Sequence, residues 1–240
     1  MITFQYLSDL HDKYPDITPL CDYLVLLGDI GDPYNPEYIK FLKGLSLKFK
    51  KVFVVPGNHE YYFKVVEECN NYISAMCFDI DNIYFLNNKS FELDGYLLLG
   101  TTLWSRINYQ TACRLNDFRY IRMEKDEFID INYYLDLHQK SVDFIKEELE
   151  HNNTENKPVI IFSHHAPLHE MNGKYKNSFL SSAYSTDLSH LTKNVKAWLS
   201  GHTHQCLTLT KNNITYTSNC MGYTCKGCEN FKLNKTITIT

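Results

Sequence analysis

The chain has 240 residues, a net charge of −4 and 44% hydrophobic residues, which suits one α/β domain with a sizeable core. This acidic balance gives no sign of a nucleic-acid or anionic-membrane surface, because such surfaces usually carry a basic footprint. No run reaches the roughly 18 apolar residues that span a bilayer, and the first strand begins too early to leave room for a signal peptide. We therefore expect a cytoplasmic protein with free cysteine thiols.

Buried strands and amphipathic helices alternate in the first part of the chain. Short apolar runs at 2–7, 23–27 and 52–55 are typical of buried strands. Helical spacing of apolar residues follows at 36–51 and at 60–77. Strands separated by helix-length connections predict a layered sheet with helices on its faces.

The rest of the chain continues this alternation around one irregular segment. Residues 105–136 are polar, aromatic and thin in apolar content, which favours a small insertion over the active-site end of the sheet rather than a second domain. We therefore predict a single domain over residues 1–240, with a meander at its C-terminal end. Further strands are predicted at 83–86, 91–93, 96–101, 158–162, 195–199, 207–210, 214–218 and 231–239, and helices at 137–151 and 183–191.

Five predicted strands end in polar residues that can bind a metal ion. The clusters are Asp9 with His11, Asp29 with Asp32, Asn58 with His59, His164 with His165, and His202 with His204. A single histidine at a strand end is more often structural than a ligand. However, six of the ten histidines lie in these clusters, and open α/β sheets bind ligands at the carboxyl ends of their strands. The repetition therefore predicts a metal site.

The kind and number of these side chains indicate the ions. Mixed imidazole and carboxylate ligands suit transition metals rather than magnesium or calcium. Side chains two residues apart in an extended segment point the same way, so Asp9 with His11, and His202 with His204, can each address one point. Seven ligands exceed the needs of one ion, and two ions that share a bridging carboxylate fit better. We expect two divalent ions, manganese first, with iron, zinc or nickel as alternatives.

The ordered motifs resemble those of the calcineurin-like metallophosphoesterase superfamily. They are Asp9-Leu10-His11, Gly28-Asp29-Ile30-Gly31-Asp32, Gly57-Asn58-His59-Glu60, His164 and Gly201-His202-Thr203-His204. The resemblance implies a four-layer α/β/β/α sandwich with a dinuclear metal centre at the strand ends. It also implies a ligand set: Asp9, His11 and His204 for one ion, Asn58, His164 and His202 for the other, and Asp29 as the bridge.

The resemblance further implies hydrolysis of a phosphoester by a metal-bound hydroxide. His59 resembles the general acid of the family, which protonates the leaving-group oxygen. Asp32 resembles the carboxylate that orients this imidazole. The alternatives are a hydrogen-bonded turn residue for His59 and a helix N-cap for Asp32. In the family the ligand is usually the first histidine of the pair, hence His164 rather than His165.

The substrate is less well defined by the sequence. Pro33 and Tyr34 follow Asp32 where phosphoprotein phosphatases of the superfamily usually carry Arg-Gly, which disfavours that branch. The DNA-repair nucleases of the superfamily carry long additional domains, for which this chain is too short. A small phosphodiester, nucleotide or phosphomonoester is therefore expected. The alternative is a catalytically silent scaffold of the same fold that binds proteins.

All four arginines lie in the predicted insertion, at Arg106, Arg114, Arg119 and Arg122. Because arginine binds phosphate with two parallel hydrogen bonds, we predict that at least one contacts the substrate. Local ion pairs to Asp117, Glu124 or Asp126 are the alternative. Aromatic residues of the same region either stack on a base or sugar or form the core of the insertion: Trp104, Tyr109, Phe118 and Tyr120.

The C-terminal cysteines raise a structural zinc site as a further hypothesis. Cys225 and Cys228 form a C-x-x-C pair, and Cys206 and Cys220 precede it. Zinc sites usually need a second pair at suitable spacing, and the irregular spacing here favours free thiols.

Overall fold

The computed structural model of the protein describes residues 1–152, 154–224 and 227–240. Two large mixed β-sheets lie face to face, with helices on their outer sides, which confirms the predicted α/β class. Among the described residues, no helix is both long and apolar enough to cross a membrane. The strands are β1 (Ile2–Leu7), β2 (Tyr23–Leu27), β3 (Lys51–Val55), β4 (Ile83–Phe85), β5 (Lys89–Leu93), β6 (Tyr96–Thr101), β7 (Arg122–Glu124), β8 (Glu127–Phe128), β9 (Val159–Ser163), β10 (Val195–Ser200), β11 (Thr208–Lys211), β12 (Ile214–Ser218) and β13 (Thr236–Ile239). The helices are α1 (Pro36–Ser46), α2 (Val66–Phe78), α3 (Tyr109–Ala112), α4 (Asp117–Tyr120), α5 (Ile131–His151) and α6 (Ser181–Tyr184), with 3-10 segments at His59–Tyr61 and His169–Tyr175.

The two sheets bring their parallel strands to one end of the molecule. The first has the order β13-β1-β2-β3-β4, in which β1 to β4 are parallel. The second has the order β11-β12-β10-β9-β6-β5, in which the four central strands are parallel and both edge strands antiparallel. The end of β2 meets the end of β9, where Nδ1 of His164 lies 2.8 Å from the carbonyl oxygen of Leu27. This meeting places the polar strand ends together.

The core follows from the alternation of side chains along each strand. Val25 and Phe53 lie between the two sheets and pack with Ile160. Their neighbours Leu24 and Val52 face the opposite way, into the cluster formed with α1 and α2. Helix α5 covers the outer face of the second sheet in the same manner. The four layers implied by the resemblance are therefore present.

The segment 105–136 contributes more to the core than its composition predicts. Ile107 and Ile121 are buried in the same cluster as α1 and α2. The segment also includes the first turns of α5, which begins at Ile131 rather than at 137 because the side chain of Asp130 caps it. The predicted start of this helix was therefore wrong.

Three predicted helices are shorter than expected. Helix α1 ends at Ser46 rather than at residue 51. The helix predicted at 60–77 is divided into the 3-10 segment and α2, because the backbone of Phe63 is left-handed, with φ of 64°. The N–H of Phe63 donates to the carbonyl oxygen of Tyr120 instead of a helical partner. The helix predicted at 183–191 is the single turn α6.

The C-terminal strands do not form the predicted meander. Strand β12 pairs in parallel with β10, while β13 crosses to the first sheet and pairs antiparallel with β1. The alternation of apolar residues predicts that these segments are strands. It does not specify which sheet edge they join, because that depends on partners far away in the sequence.

Candidate metal centre

The strand ends bring all seven predicted metal ligands together in two groups. We define the outer group as Asp9, His11 and His204, whose ligand atoms all lie within 4.8 Å of one another. We define the inner group as Asp29, Asn58, His164 and His202. The same distance limit joins Asp29, His164 and His202, and Oδ1 of Asn58 lies 3.2 Å from Nε2 of His164.

Asp29 lies between the two groups. Its Oδ1 lies 3.3 Å from Nε2 of His164 in the inner group. Its carboxylate also forms a set with His11 and His59, whose ligand atoms lie within 4.8 Å of one another. His11 belongs to the outer group, so the Asp29 carboxylate is within reach of both. A bridging carboxylate requires this position.

Tight turns aim these ligands, and their backbone is unusual. Asp9, His11, Asp29, His202 and His204 have φ of 58°, 47°, 54°, 61° and 49°. Left-handed backbone is uncommon for residues other than glycine and is often found at functional sites. The extended geometry predicted for the pairs two residues apart was therefore wrong. His202 and His204 accordingly lie in different groups instead of addressing one point.

Glycines allow the loops to approach each other. A Cβ atom added at Gly57 would lie 2.2 Å from Oδ1 of Asp29. One added at Gly28 would lie 2.3 Å from Nδ1 of His164. No side chain fits at either position. Glycine is therefore required by packing immediately before Asp29 and Asn58.

The donor atoms of both groups fit a divalent cation. Nδ1 of His164 must carry a proton, because the Leu27 carbonyl can only accept, so Nε2, which faces Asp29 and Asn58, is the nitrogen that becomes a metal ligand when it loses its proton. In the outer group Oδ1 of Asp9 is fully buried and has no hydrogen-bond partner within the described residues. His204 Nε2 lies 3.3 Å from it, without hydrogen-bond geometry. A buried carboxylate oxygen in this state is costly unless a cation binds it.

Burial and charge set the protonation of the histidines. Burial lowers the pKa of His11 to about 4 and the pKa of His202 to about 3. Burial acts in the same direction on His164, but the Asp29 carboxylate outweighs it and raises the pKa of His164 to about 9. Near neutral pH, a metal ion must therefore displace a proton from His164 but not from His11.

Glu60 is a buried carboxylate that supports the inner group. It accepts hydrogen bonds from the N–H groups of Asp29, Ile30 and Gly57, at 2.9, 2.7 and 2.7 Å. Burial and the nearby Asp29 raise the pKa of Glu60 to about 7. Its place in the Gly-Asn-His-Glu motif was the sequence signal, but no role was predicted for it. The structure shows that it holds two ligand loops together.

Asp117 supports the inner group from the insertion. It is 4% exposed, and its Oδ1 accepts hydrogen bonds from Nδ2 of Asn58 at 2.9 Å and from the hydroxyl of Tyr62 at 3.0 Å. These bonds turn Oδ1 of Asn58 toward His164. The sequence offered Asp117 only as an ion-pair partner for arginine, and no such pair exists among the described residues. Asp117 lies 59 residues from Asn58 in the sequence, so no local sequence pattern indicates this contact.

His59 lies at the mouth of the site. Its ring stacks on the ring of Tyr62, with centroids 4.2 Å apart. Its Nε2 lies 3.9 Å from Oδ2 of Asp29 and 3.2 Å from the hydroxyl of Tyr223. Nε2 therefore faces the metal groups.

Asp32 lies in the loop after β2, and its side chain is exposed. Its Oδ1 accepts a hydrogen bond from the N–H of Tyr34 and pairs with Nζ of Lys64 at 2.8 Å. Within the described residues, no hydrogen bond joins Asp32 to His59. Asn35 caps α1, so the alternative of an N-cap at Asp32 was wrong.

A cavity of about 310 Å³ opens over both groups. Its lining residues are Asp29, His59, Tyr175, Tyr184, His202, Thr203, His204 and Tyr223. None of the four predicted arginines lines this cavity. Arg106, Arg114 and Arg119 are exposed, with the guanidinium of Arg114 over the ring of Phe179, and Arg122 lies over the ring of Phe128.

The aromatic residues predicted to stack on substrate lie in different places. Trp104 and Phe118 pack against Tyr134, with ring centroids 5.1 and 5.4 Å apart, so they belong to the core. Tyr120 packs against Phe63 at 4.9 Å. Tyr109 is 71% exposed.

The cysteines near the site are neutral thiols. Burial raises the pKa of Cys206 to about 11, and burial also raises the pKa of Cys220 and Cys228. A zinc ion would have to displace these protons, so the zinc site stays a hypothesis. Cys225, the fourth residue of the hypothetical zinc site, lies outside the described residues.

Comparison with known sequences decides the family. Residues 3–206 match the family described as calcineurin-like phosphoesterase. The chain belongs to this family. It is also 34% identical over 263 positions to uncharacterized protein L509 of Acanthamoeba polyphaga mimivirus, across 93% of this chain and 92% of that protein. The family supports a metal-dependent phosphoesterase, and the inner and outer groups supply candidate ligands.

Solved structures show the same fold. Phosphopantetheinyl hydrolase (PptH) from Mycobacterium tuberculosis superimposes with a TM-score of 0.75 at 16% identity, over 97% of this chain and 93% of that one. A dimetal phosphatase from Danio rerio superimposes with a TM-score of 0.52 at 16% identity, over 90% and 86%. At such low identity the similarity establishes the fold alone.

Proposed function

We propose that this phosphoesterase hydrolyses a small phosphoester at a centre of two divalent transition-metal ions, manganese first. The outer group would hold one ion, the inner group the other, and Asp29 would bridge them. The observation that carries this proposal is the position of the Asp29 carboxylate within reach of ligand atoms from both groups. Bound there, such ions would supply stabilisation of the phosphoryl charge and a water of lowered pKa as the nucleophile.

The residues of the chain would supply the remaining steps. His59 Nε2 faces the metal groups, so His59 is placed to donate a proton to the leaving-group oxygen as the P–O bond breaks. Three tyrosines line the cleft beside it: Tyr175, Tyr184 and Tyr223. Their rings would restrict the shape of the bound ester and displace water from the reacting atoms.

The size of the cavity supports a small phosphodiester, nucleotide or phosphomonoester as substrate. Its volume of about 310 Å³ lies at the lower end of ligand-pocket sizes. The similarity to a phosphopantetheinyl hydrolase adds phosphopantetheinyl esters to the substrates worth testing. None of the four arginines lines this cavity, so the structure adds no support for a contact between arginine and substrate, which stays a prediction. A cytoplasmic location likewise stays a prediction.

Hydrolysis by metal-stripped protein with Mn²⁺ restored tests the proposal. The substrates are bis-p-nitrophenyl phosphate, p-nitrophenyl phosphate and a phosphopantetheinyl peptide. The variants are Asp29→Asn and, as a matched control, Asp81→Asn, which changes an exposed carboxylate far from the cleft. We expect metal-dependent turnover in the wild type and the control and its loss in Asp29→Asn. Bound metal without turnover of any ester would contradict the proposal and favour the scaffold.

A further inference from the structure

Tyr223 contacts the candidate site directly, although no role was predicted for it from the sequence. Its hydroxyl lies 3.2 Å from Nε2 of His59. Its ring stacks on the ring of His11, with centroids 4.2 Å apart, and meets the edge of His204 at 4.7 Å. One side chain therefore touches both the predicted general acid and two residues of the outer group.

The backbone before Tyr223 is fixed to the end of β1. The N–H of Met221 donates to the carbonyl oxygen of Ser8 at 3.0 Å, and the N–H of Gly222 donates to that of Asp9 at 2.9 Å. Nζ of Lys13 donates to the carbonyl oxygen of Gly222 at 2.9 Å. The ring of Tyr223 is thereby placed over the cleft. The residue is nevertheless 63% exposed, so its replacement leaves the apolar core intact.

We propose that Tyr223 is the positioning residue of His59, in the place that the family resemblance gives to Asp32. The proposal rests on the proposed function, because it assigns a support to the acid of that reaction. Asp32 is unsuited to this role, since its Oδ1 is engaged by Lys64 and by the N–H of Tyr34. Tyr62 fixes one face of the imidazole by stacking, and Tyr223 fixes its direction by hydrogen bonding.

A hydroxyl can hold the imidazole before and after proton transfer. When His59 is an imidazolium, with protons on both Nδ1 and Nε2, the phenolic oxygen of Tyr223 and the leaving-group oxygen both accept the Nε2 proton in a shared hydrogen bond. As the P–O bond breaks, the leaving oxygen keeps the bonding electron pair and takes this proton. The phenol then rotates and donates its own O–H to the vacated Nε2 lone pair. A carboxylate at the same nitrogen can only accept, so it would hold His59 only while Nε2 is protonated.

The dependence of rate on the leaving group tests this role. p-Nitrophenolate leaves readily without a proton, whereas phenolate is a stronger base and gains from one. The test therefore compares bis-p-nitrophenyl phosphate with diphenyl phosphate, or the two corresponding monoesters if those are hydrolysed. We expect Tyr223→Phe to slow hydrolysis of the phenyl ester about tenfold, a part of what general acid catalysis supplies, and to leave the nitrophenyl ester unchanged. In a His59→Ala background the same change should have no further effect.

Two control variants separate the proposal from its competitors. Tyr175→Phe removes a hydroxyl from the same cavity, and among the described residues no hydrogen bond joins Tyr175 to His59; we expect the ratio of the two rates to keep its wild-type value. Asp32→Asn should likewise leave the ratio of the two rates unchanged. In metal-free protein, the ¹⁵N resonance of His59 Nε2 should shift in Tyr223→Phe and not in Tyr175→Phe.

Several results would overturn the role of Tyr223. They are an equal effect of Tyr223→Phe on both esters, no effect on either, or a leaving-group effect from Asp32→Asn instead. Failure of the metal-loaded wild type to hydrolyse any of the tested esters would instead remove the proposed function, and the role of Tyr223 with it.

Discussion

The two ligand groups differ in how their ligands are shielded from solvent. The inner group is built into the core: His164, Asp29 and Asn58 are 0%, 1% and 3% exposed, and buried hydrogen-bond partners hold each of them. In the outer group only Asp9 is buried to this extent, and the His204 side chain is 24% exposed. Its cover is the exposed Tyr223. The comparison indicates that the inner site is preorganised, whereas a surface segment completes the outer site.

This difference predicts unequal metal binding. The inner ion should bind more tightly and exchange more slowly, because three of its four ligands are already oriented and shielded from water, and only His202 is partly exposed. The outer ion should exchange more readily with added metal. The variants below disturb both groups, neither group, and then the inner group alone.

Removing the shared carboxylate should have the largest effect. Asp29→Asn takes a charged ligand from the position between the groups, so we expect both ions to bind weakly. We also expect kcat to fall by roughly 10³-fold, since metal stabilisation supplies several kcal/mol and about 1.4 kcal/mol is tenfold. Metal content after gel filtration and steady-state hydrolysis measure the two losses. Retention of two ions at wild-type affinity would exclude Asp29 as the bridge.

Removing the predicted acid should lower the rate without removing metal. For His59→Ala we expect kcat on an ester with a poor leaving group to fall by about 10²-fold. Both ions should remain, because His59 lies outside the two groups. The check is kcat together with bound metal in one preparation. A fall in metal content equal to the fall in rate would make His59 a ligand instead.

Replacing Asp117, which supports Asn58 from the insertion, should affect the inner group alone. Asp117→Ala frees the Asn58 amide to rotate, so we expect the affinity for the inner ion to fall about 10–100-fold, as for other residues that support metal ligands. Asp117→Asn keeps an acceptor for Nδ2 of Asn58 and should restore most of it. Calorimetric titration with Mn²⁺ resolves the two sites. A loss confined to the outer ion would contradict the assignment.

The smallest predicted effect is a pH dependence of metal binding, which we expect at both groups. The pKa of His164 is raised to about 9, so the folded metal-free protein holds this proton near neutral pH and the inner ion must displace it. In the outer group burial lowers the pKa of His11 to about 4, but the Asp9 carboxylate outweighs burial at His204 and raises its pKa, so His204 is the outer ligand from which an ion displaces a proton. We expect inner-site affinity to rise by up to about tenfold per pH unit until the pH reaches the pKa of His164. Titrations in buffers of different ionisation enthalpy count the released protons. Affinity independent of pH would contradict the protonated His164.

The sequence predicted well which side chains meet at the strand ends, because each lies next to the strand that positions it. An apolar run followed by a polar pair is a local pattern, and parallel strands bring such ends together without further information. Asp117 and Tyr223 were missed as supporting residues, because each reaches the site from a distant segment and neither follows a buried strand. The same limit explains β13, where Thr3 and Thr238 meet across 235 residues. Contacts of this range depend on the assembled fold.

The most direct test of a two-ion hydrolase is to count ions and activity in the same titration. Mn²⁺ is added stepwise to metal-free protein, native mass spectrometry gives the fractions with no, one and two ions, and hydrolysis of bis-p-nitrophenyl phosphate or p-nitrophenyl phosphate is followed in parallel. We predict that the rate follows the two-ion fraction and that the one-ion species is nearly inactive. Full activity with a single ion, or two bound ions without hydrolysis, would contradict the account.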